Sequence, residues 1–120
     1  MSYDLRIAVK DEYGLMVVIA QPERSSPTYN IGTMFRKVMD WDFNQSEFYP
    51  LKDVYWNITK GIERLKTQED KYKKYNSPNG WGTTQSALAA LESLKQCIDE
   101  TVTGYGRWEE IPIDHLYVAW

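Results

Sequence analysis

The sequence predicts an α+β domain of two layers: a mainly antiparallel three-stranded sheet, in the chain order β-β-α-α-α-β, with helices packed on one face. Three observations predict it. Apolar residues alternate at the start of the chain (Tyr3, Leu5, Ile7, Val9), three later stretches carry apolar residues at helical spacing, and the chain closes on a further apolar run, "IDHLYVAW". A period of two marks a strand and a period near 3.6 marks a helix.

In "YDLRIAV" Asp4 and Arg6 take the face opposite the apolar set, as in a half-buried strand. "LMVVIA", residues 15–20, is apolar at every position, which predicts a strand covered on both faces. "KDEYG" joins the two as a short hairpin loop, with Gly14 suited to a positive φ. "QPERSSP" then breaks the pattern with two prolines.

The first helix carries Ile31, Met34, Phe35 and Val38, with Asn30 placed to cap it and Gly32 in its first turn. "DWDFNQSEFYP" reads as an aromatic loop near four acids, Asp40, Asp42, Glu47 and Asp53. Pro50 suits the opening of the second helix, whose stripe runs Leu51, Val54, Ile58, Gly61/Ile62, Leu65 and Tyr72. Glu69–Lys73 and Asp70–Lys74 are spaced as i,i+4 ion pairs of an exposed helix end. "NSPNG" stops that helix, because Ser77 precedes a proline and Asn79-Gly80 is a turn signal. A third helix begins near Gly82 or Thr83, carries Leu88, Leu91, Leu94, Ile98 and Val102, and ends at Gly104 and Gly106. The closing run is expected to pair beside the first hairpin, since a late strand is ordered only when paired.

The chain of 120 residues fits one domain, 1–120; at 42% hydrophobic and 26% charged it has the make-up of a globular core rather than of a disordered segment. Its net charge of −3 and pI near 5.1 argue against non-specific nucleic-acid or membrane-surface binding, which needs a basic face. The charge is uneven. Residues 60–74 hold Lys60, Arg64, Lys66, Lys71, Lys73 and Lys74 against three acids, whereas residues 92–114 hold six acids against Lys95 and Arg107. A single cysteine, Cys97, allows no internal disulfide and fits a reducing compartment. The opening "MSYDLRIAVK" lacks the pattern of a signal peptide, and no apolar run reaches the roughly 18 residues of a membrane span, so a cytoplasmic protein is expected.

Catalytic chemistry has little to rest on. His115 is the only histidine and falls in the closing run, where it reads as a paired structural residue; Cys97 sits beside Ile98 and reads as a small core residue. One His and one Cys cannot make the usual zinc site, and Asp40, Asp42 and Glu47 lack the spacing of a calcium loop. No phosphate-binding motif of the Walker or Rossmann type is present. The expectation is a non-enzyme with no metal and no cofactor.

Two short constellations stand out: "SSPTYN", residues 25–30, and "YNSPNGWGTT", residues 75–84, each pairing Tyr-Asn with Ser-Pro ahead of a helix. Tyr29, Asn30, Tyr75, Asn76, Asn79 and Trp81 are therefore candidate ligand-binding residues: aromatic faces stack a base and a helix N-terminus attracts an anion. The plainer expectation is that both are turns and caps. Gly80 and Gly82 would then fold Trp81 inward as a plug beneath the third helix, with Asn76 and Asn79 fixing the turn.

"TYNIGTMF", followed some 45 residues later by "YNSPNGWGTTQSALAAL", resembles a family of small proteins from phages, prophages and conjugative elements. The similarity spans roughly residues 27–95 and, more loosely, the first hairpin. The resemblance implies a setting rather than a mechanism. Small acidic proteins of such elements often inhibit host defence, in the anti-CRISPR manner, which by analogy favours a binding protein over an enzyme. The resulting expectation is a non-catalytic protein that binds and inhibits a host factor through Asp40, Trp41, Asp42, Phe43, Glu47, Trp108, Glu109 and Glu110. Acids would steer association and aromatics anchor it. The alternative is a small-ligand binder that sequesters a nucleotide immune signal between the Tyr29-Asn30 and Trp81 segments.

Overall fold

The structure, a computed structural model, describes residues 5–22, 32–41, 47–76, 82–104 and 111–119. The strands are β1 (Arg6–Lys10), β2 (Met16–Ala20), β3 (Phe48–Pro50) and β4 (Leu116–Ala119); the helices are α1 (Gly32–Met39), α2 (Leu51–Thr67), α3 (Glu69–Tyr72) and α4 (Thr84–Thr103). The α+β class is as the sequence predicts.

The sheet has four strands rather than three, all antiparallel, in the order β2-β1-β4-β3. The addition is β3, which the sequence disguises as loop. Three residues are too few to show alternation, and Pro50 is tolerated only because β3 closes the sheet and hands directly to α2, whose N-cap position Pro50 fills. The closing strand does pair beside the hairpin, with Ile7 opposite Val118 and Val9 opposite Leu116.

Cross-strand partners share a face. Leu5, Ile7, Leu116 and Val118 therefore present one apolar face, and all four lie in the same buried cluster as Met34, Phe35, Val38, Leu51, Ile58, Leu65, Leu91, Leu94 and Ile98 from the helices. Most of the helical stripe residues read from sequence are buried, including Tyr72, which sits on the short helix α3 after a break at Gln68. Leu88 and Val102 of α4 are only half-buried, the buried face there being completed by Ala87, Ala90 and Thr101, and Ile31 lies outside the described residues.

Helix ends follow local chemistry. Thr83 caps α4, its hydroxyl oxygen accepting from the Ser86 N–H at 3.1 Å, and Gly104 closes the helix at φ 76°. At the end of α1 the left-handed position is taken by Asp40, at φ 52°, and the Trp41 N–H reaches back to the Arg36 carbonyl at 3.3 Å. Aspartate tolerates this conformation better than most residues.

Three expectations need correction. β2 is not covered on both faces: it is the last strand of the sheet, Leu15 beside it is 64% exposed, and Val17 and Val18 are 44% and 46% exposed. His115 lies in a 3-10 turn (Ile113–His115) ahead of β4 rather than in the strand, and is exposed. Lys73 takes both acids of the helix end, Asp70 at 3.2 Å and Glu69 at 3.9 Å, while Lys74 lies over the Tyr75 ring instead of pairing with Asp70.

Candidate functional site

The hairpin between β1 and β2 is held by one side chain. The Asp11 carboxylate accepts from the Tyr13 N–H at 2.9 Å and the Leu15 N–H at 2.8 Å. The Asp11 N–H donates to the Leu15 carbonyl at 2.8 Å, and the Gly14 N–H, at φ 82°, donates to the Asp11 carbonyl at 3.0 Å. This fixed loop presents Tyr13, 81% exposed, beside Leu15 and the two exposed valines of β2. Glu12 adds an exposed acid at the tip. A second large apolar side chain faces solvent on α2, Trp56, at 70% exposure. Neither Tyr13 nor Trp56 stood out in the sequence, because exposure of a single aromatic is decided by which helix or strand face it lands on, not by its neighbours in the chain.

The groove between α2 and α4, about 680 Å³, is lined by Ile62 and by polar residues of both helices. Its lysines are paired internally: Lys66 meets Glu92 at 3.1 Å and Lys95 meets Asp99 at 2.8 Å, while Gln96 donates to the remaining acid, Glu100, at 3.1 Å. The Tyr55 hydroxyl donates to Asp99 at 2.7 Å, and burial, then that carboxylate, push its pKa up. The arrangement is a helix–helix clasp.

The third feature lies where α1 ends against α2. Arg64 donates from Nη1 to the Val38 carbonyl (3.1 Å) and to Asp40 (2.9 Å), Lys60 reaches the same Asp40 oxygen at 2.9 Å, and Asn57 donates to the Met39 carbonyl at 2.7 Å. The bonds from Lys60 first, then Arg64, hold the Asp40 carboxyl below its usual pKa. A depressed carboxyl contributes stability that is present above its unfolded pKa, about 3.9, and is lost as pH falls through the folded value. Asp40→Asn, which keeps a residue suited to the left-handed backbone, is therefore expected to lower the urea midpoint at about pH 7 and to lie close to the parent at about pH 3. An equal deficit at both pH values would show that the ion pairs contribute nothing.

Of the residues expected to meet a partner, Asp40 thus has its charge answered within the chain. Trp41 is half-buried and packs edge-on against Tyr49, with ring centroids 4.5 Å apart and planes at 84°. Glu47 is exposed at the threshold of β3. Asp42, Phe43, Trp108, Glu109 and Glu110 lie outside the described residues. Of the candidate ligand residues, Tyr75 is half-buried beside Tyr72, at 6.4 Å between ring centroids. The Asn76 side-chain oxygen accepts from the Thr84 N–H at 2.9 Å, so it serves the N-terminus of α4. Thr84 in turn donates its hydroxyl to Glu69 at 3.2 Å. With a carboxylate that near and the Thr84 and Ser86 amides already bonded, this helix end is poorly suited to an anion. Tyr29, Asn30, Asn79 and Trp81, including the inward plug expected of Trp81, lie outside the described residues.

Among the described residues no group of three His, Cys, Asp or Glu side chains is placed to hold a metal, and no helix is long and apolar enough to cross a membrane. Cys97 is half-buried and packs against the core. Compared with protein-family models, curated proteins and solved structures, the chain gives no significant match.

Proposed function

We propose that this chain is a non-catalytic, cytoplasmic protein of a mobile genetic element that binds and inhibits a host protein, in the manner of an anti-defence inhibitor, with the β1–β2 hairpin as its docking element. The observation that supports this reading is the pairing of a rigid loop with an uncovered apolar surface. Tyr13, Leu15, Val17 and Val18 lie outside the buried cluster, Val17 and Val18 on opposite faces of β2, and Asp11 ties the loop that displays Tyr13 with two side-chain bonds. Rigid presentation of an aromatic anchor reduces the ordering cost of binding, and tyrosine is enriched among residues that dominate interfaces. Glu12 at the tip favours a partner whose apolar pocket has a basic rim. The exposed Glu47, and Glu109 and Glu110, would act as steering charges rather than anchors.

The test pairs capture from host lysate with variants. Tyr13→Ser/Leu15→Ser alters exposed side chains only, so its melting temperature is expected to match the parent, since surface changes stay within about 0.5 kcal/mol. It is expected to lose a protein that the parent captures in stoichiometric amount. Glu109→Lys/Glu110→Lys is expected to slow association while the captured complex persists. Retention of the partner by the Tyr13/Leu15 variant would reject the hairpin as the docking element. A parent that is a dimer in solution, and a hairpin variant that is a monomer, would assign the exposed hairpin to a second copy of the chain. Loss of function only on changing Tyr29 or Asn30 would favour the nucleotide sponge.

A further inference from the structure

We infer that the cleft between the C-terminus of α1 and the second half of α2 is a binding site for a small phosphate-bearing anion, held by Lys37, Arg64 and Lys71 with Tyr75 at its wall. The cleft is about 360 Å³ and is also lined by Asp40, Gln68 and Tyr72. That is near the lower end of the range for small-ligand pockets, roughly 300–1,000 Å³.

Charge is the first argument. Among the described residues three cations line the cleft against one acid, in a chain whose net charge is −3. The one acid, Asp40, is already shared between Lys60 and Arg64, so it offsets only one of those two. Lys37 and Lys71 are both exposed and meet no carboxylate among the described residues; the Lys71 ammonium lies over the Tyr72 ring, 5.7 Å away. Clustered like charges repel, and an anion of more than one charge relieves that repulsion. The α2–α4 groove is the control within the molecule. It is larger, but its lysines are each paired with an acid, so among the described residues it presents no surplus of positive charge.

Donor geometry is the second argument. Both hydrogen bonds of Arg64 leave from one nitrogen, Nη1. Those bonds fix the plane of the guanidinium while Nη2 and Nε, which carry three of its five N–H donors, take no partner among the described residues. An arginine anchored on one side, with donors left on the other, is organised in advance for the planar, bidentate recognition that phosphate oxygens allow. Tyr75, its ring tilted 31° from that of Tyr72, also lines the cleft. None of the residues of the hairpin tip takes part, so this site stands or falls apart from host-protein docking.

The experiment is an NMR titration of the full chain with pyrophosphate and with ADP, at an ionic strength that screens beyond about 8 Å. Saturable shifts of the Lys37, Arg64 and Lys71 amides are expected with at least one probe. Lys37→Gln/Lys71→Gln, two exposed changes, is expected to weaken that binding about tenfold or more, the loss of one or two charge-assisted contacts. Lys52→Gln, exposed on the first turn of α2 and outside the cleft, is expected to leave it unchanged. Absence of saturation with both probes, or an equal loss with Lys52→Gln, overturns the assignment.

Discussion

Deleting residues 116–120 is expected to leave protein with no cooperative unfolding transition. β4 stands between β1 and β3 and pairs with both, so its loss strips the hydrogen-bonding edge from two strands at once. It also removes Leu116 at 1% exposure and Val118 and Ala119 at 0%. Burial of each larger aliphatic side chain contributes roughly 1.5–3 kcal/mol, and the unpaired backbone groups left beneath the helices add a desolvation cost of about 1–3 kcal/mol each. Together these approach the whole stability of a typical domain, about 5–15 kcal/mol. The graded comparison is Leu116→Ala, which keeps the strand and is expected to melt cooperatively at a lower temperature, with a loss of about 2–5 kcal/mol. Circular dichroism melts of the two variants decide the matter. A deletion variant that melts cooperatively at the parental temperature would show that the strand is an appendage of the sheet.

The pairing of β4 with β1 was legible because Leu116 and Val118 continue the period-two pattern set by Leu5 and Ile7, and an apolar run of that kind needs a partner. The helices were legible for the same kind of reason. Val54, Ile58, Ile62 and Leu65 repeat at three and four residues, and each is buried. What stayed hidden depends on placement rather than pattern. Val17 and Val18 look like a strand covered on both sides, but a strand's cover is set by its rank in the sheet, and β2 comes last. β3 is three residues long and ends in proline, below the length at which alternation is visible. The candidate site was less legible still. Asp40 appeared as one acid in an acidic loop, whereas its side chain is fixed by Lys60 and Arg64, residues 20 and 24 positions later on α2. Those positions carried a signal, the basic excess of residues 60–74. Nothing in sequence said which of those lysines and arginines would be spent on helix ends and which would remain unpaired around the cleft.

Gly61→Leu is expected to be the most damaging single substitution in the helical layer, with a loss beyond about 4 kcal/mol, the range reserved for severe core disruption. Gly61 interrupts the apolar stripe of α2, where a glycine costs about 1 kcal/mol relative to alanine. The cost is met by closeness. A Cβ at position 61 would lie 2.9 Å from Met39 Cγ, 3.2 Å from Leu91 Cδ1 and 3.3 Å from Val38 Cγ2. These three side chains come from α1 and α4, and all are 0% exposed, so the missing side chain is what lets three helices meet. Overpacking of a closed core costs typically about 1–3 kcal/mol for a few added atoms. Gly61→Ala is therefore expected to lose stability modestly, its crowding against Met39 exceeding its gain in helix propensity. A leucine adds three further carbons in a place with no direction of escape, and α1 must part from α2. That separation would also dislodge Arg64 from the Val38 carbonyl and Asn57 from the Met39 carbonyl, bonds that close the end of α1. Met39→Ala supplies the internal check. Alone it is expected to cost about 2–5 kcal/mol. Combined with Gly61→Ala it removes the atom in closest conflict, so the pair is expected to lose less than the sum of the singles, by about 0.5–3 kcal/mol. Urea denaturation of the four proteins measures that coupling. Strict additivity, or a Gly61→Leu protein as stable as the parent, would mean that α1 and α4 do not close on Gly61 in solution.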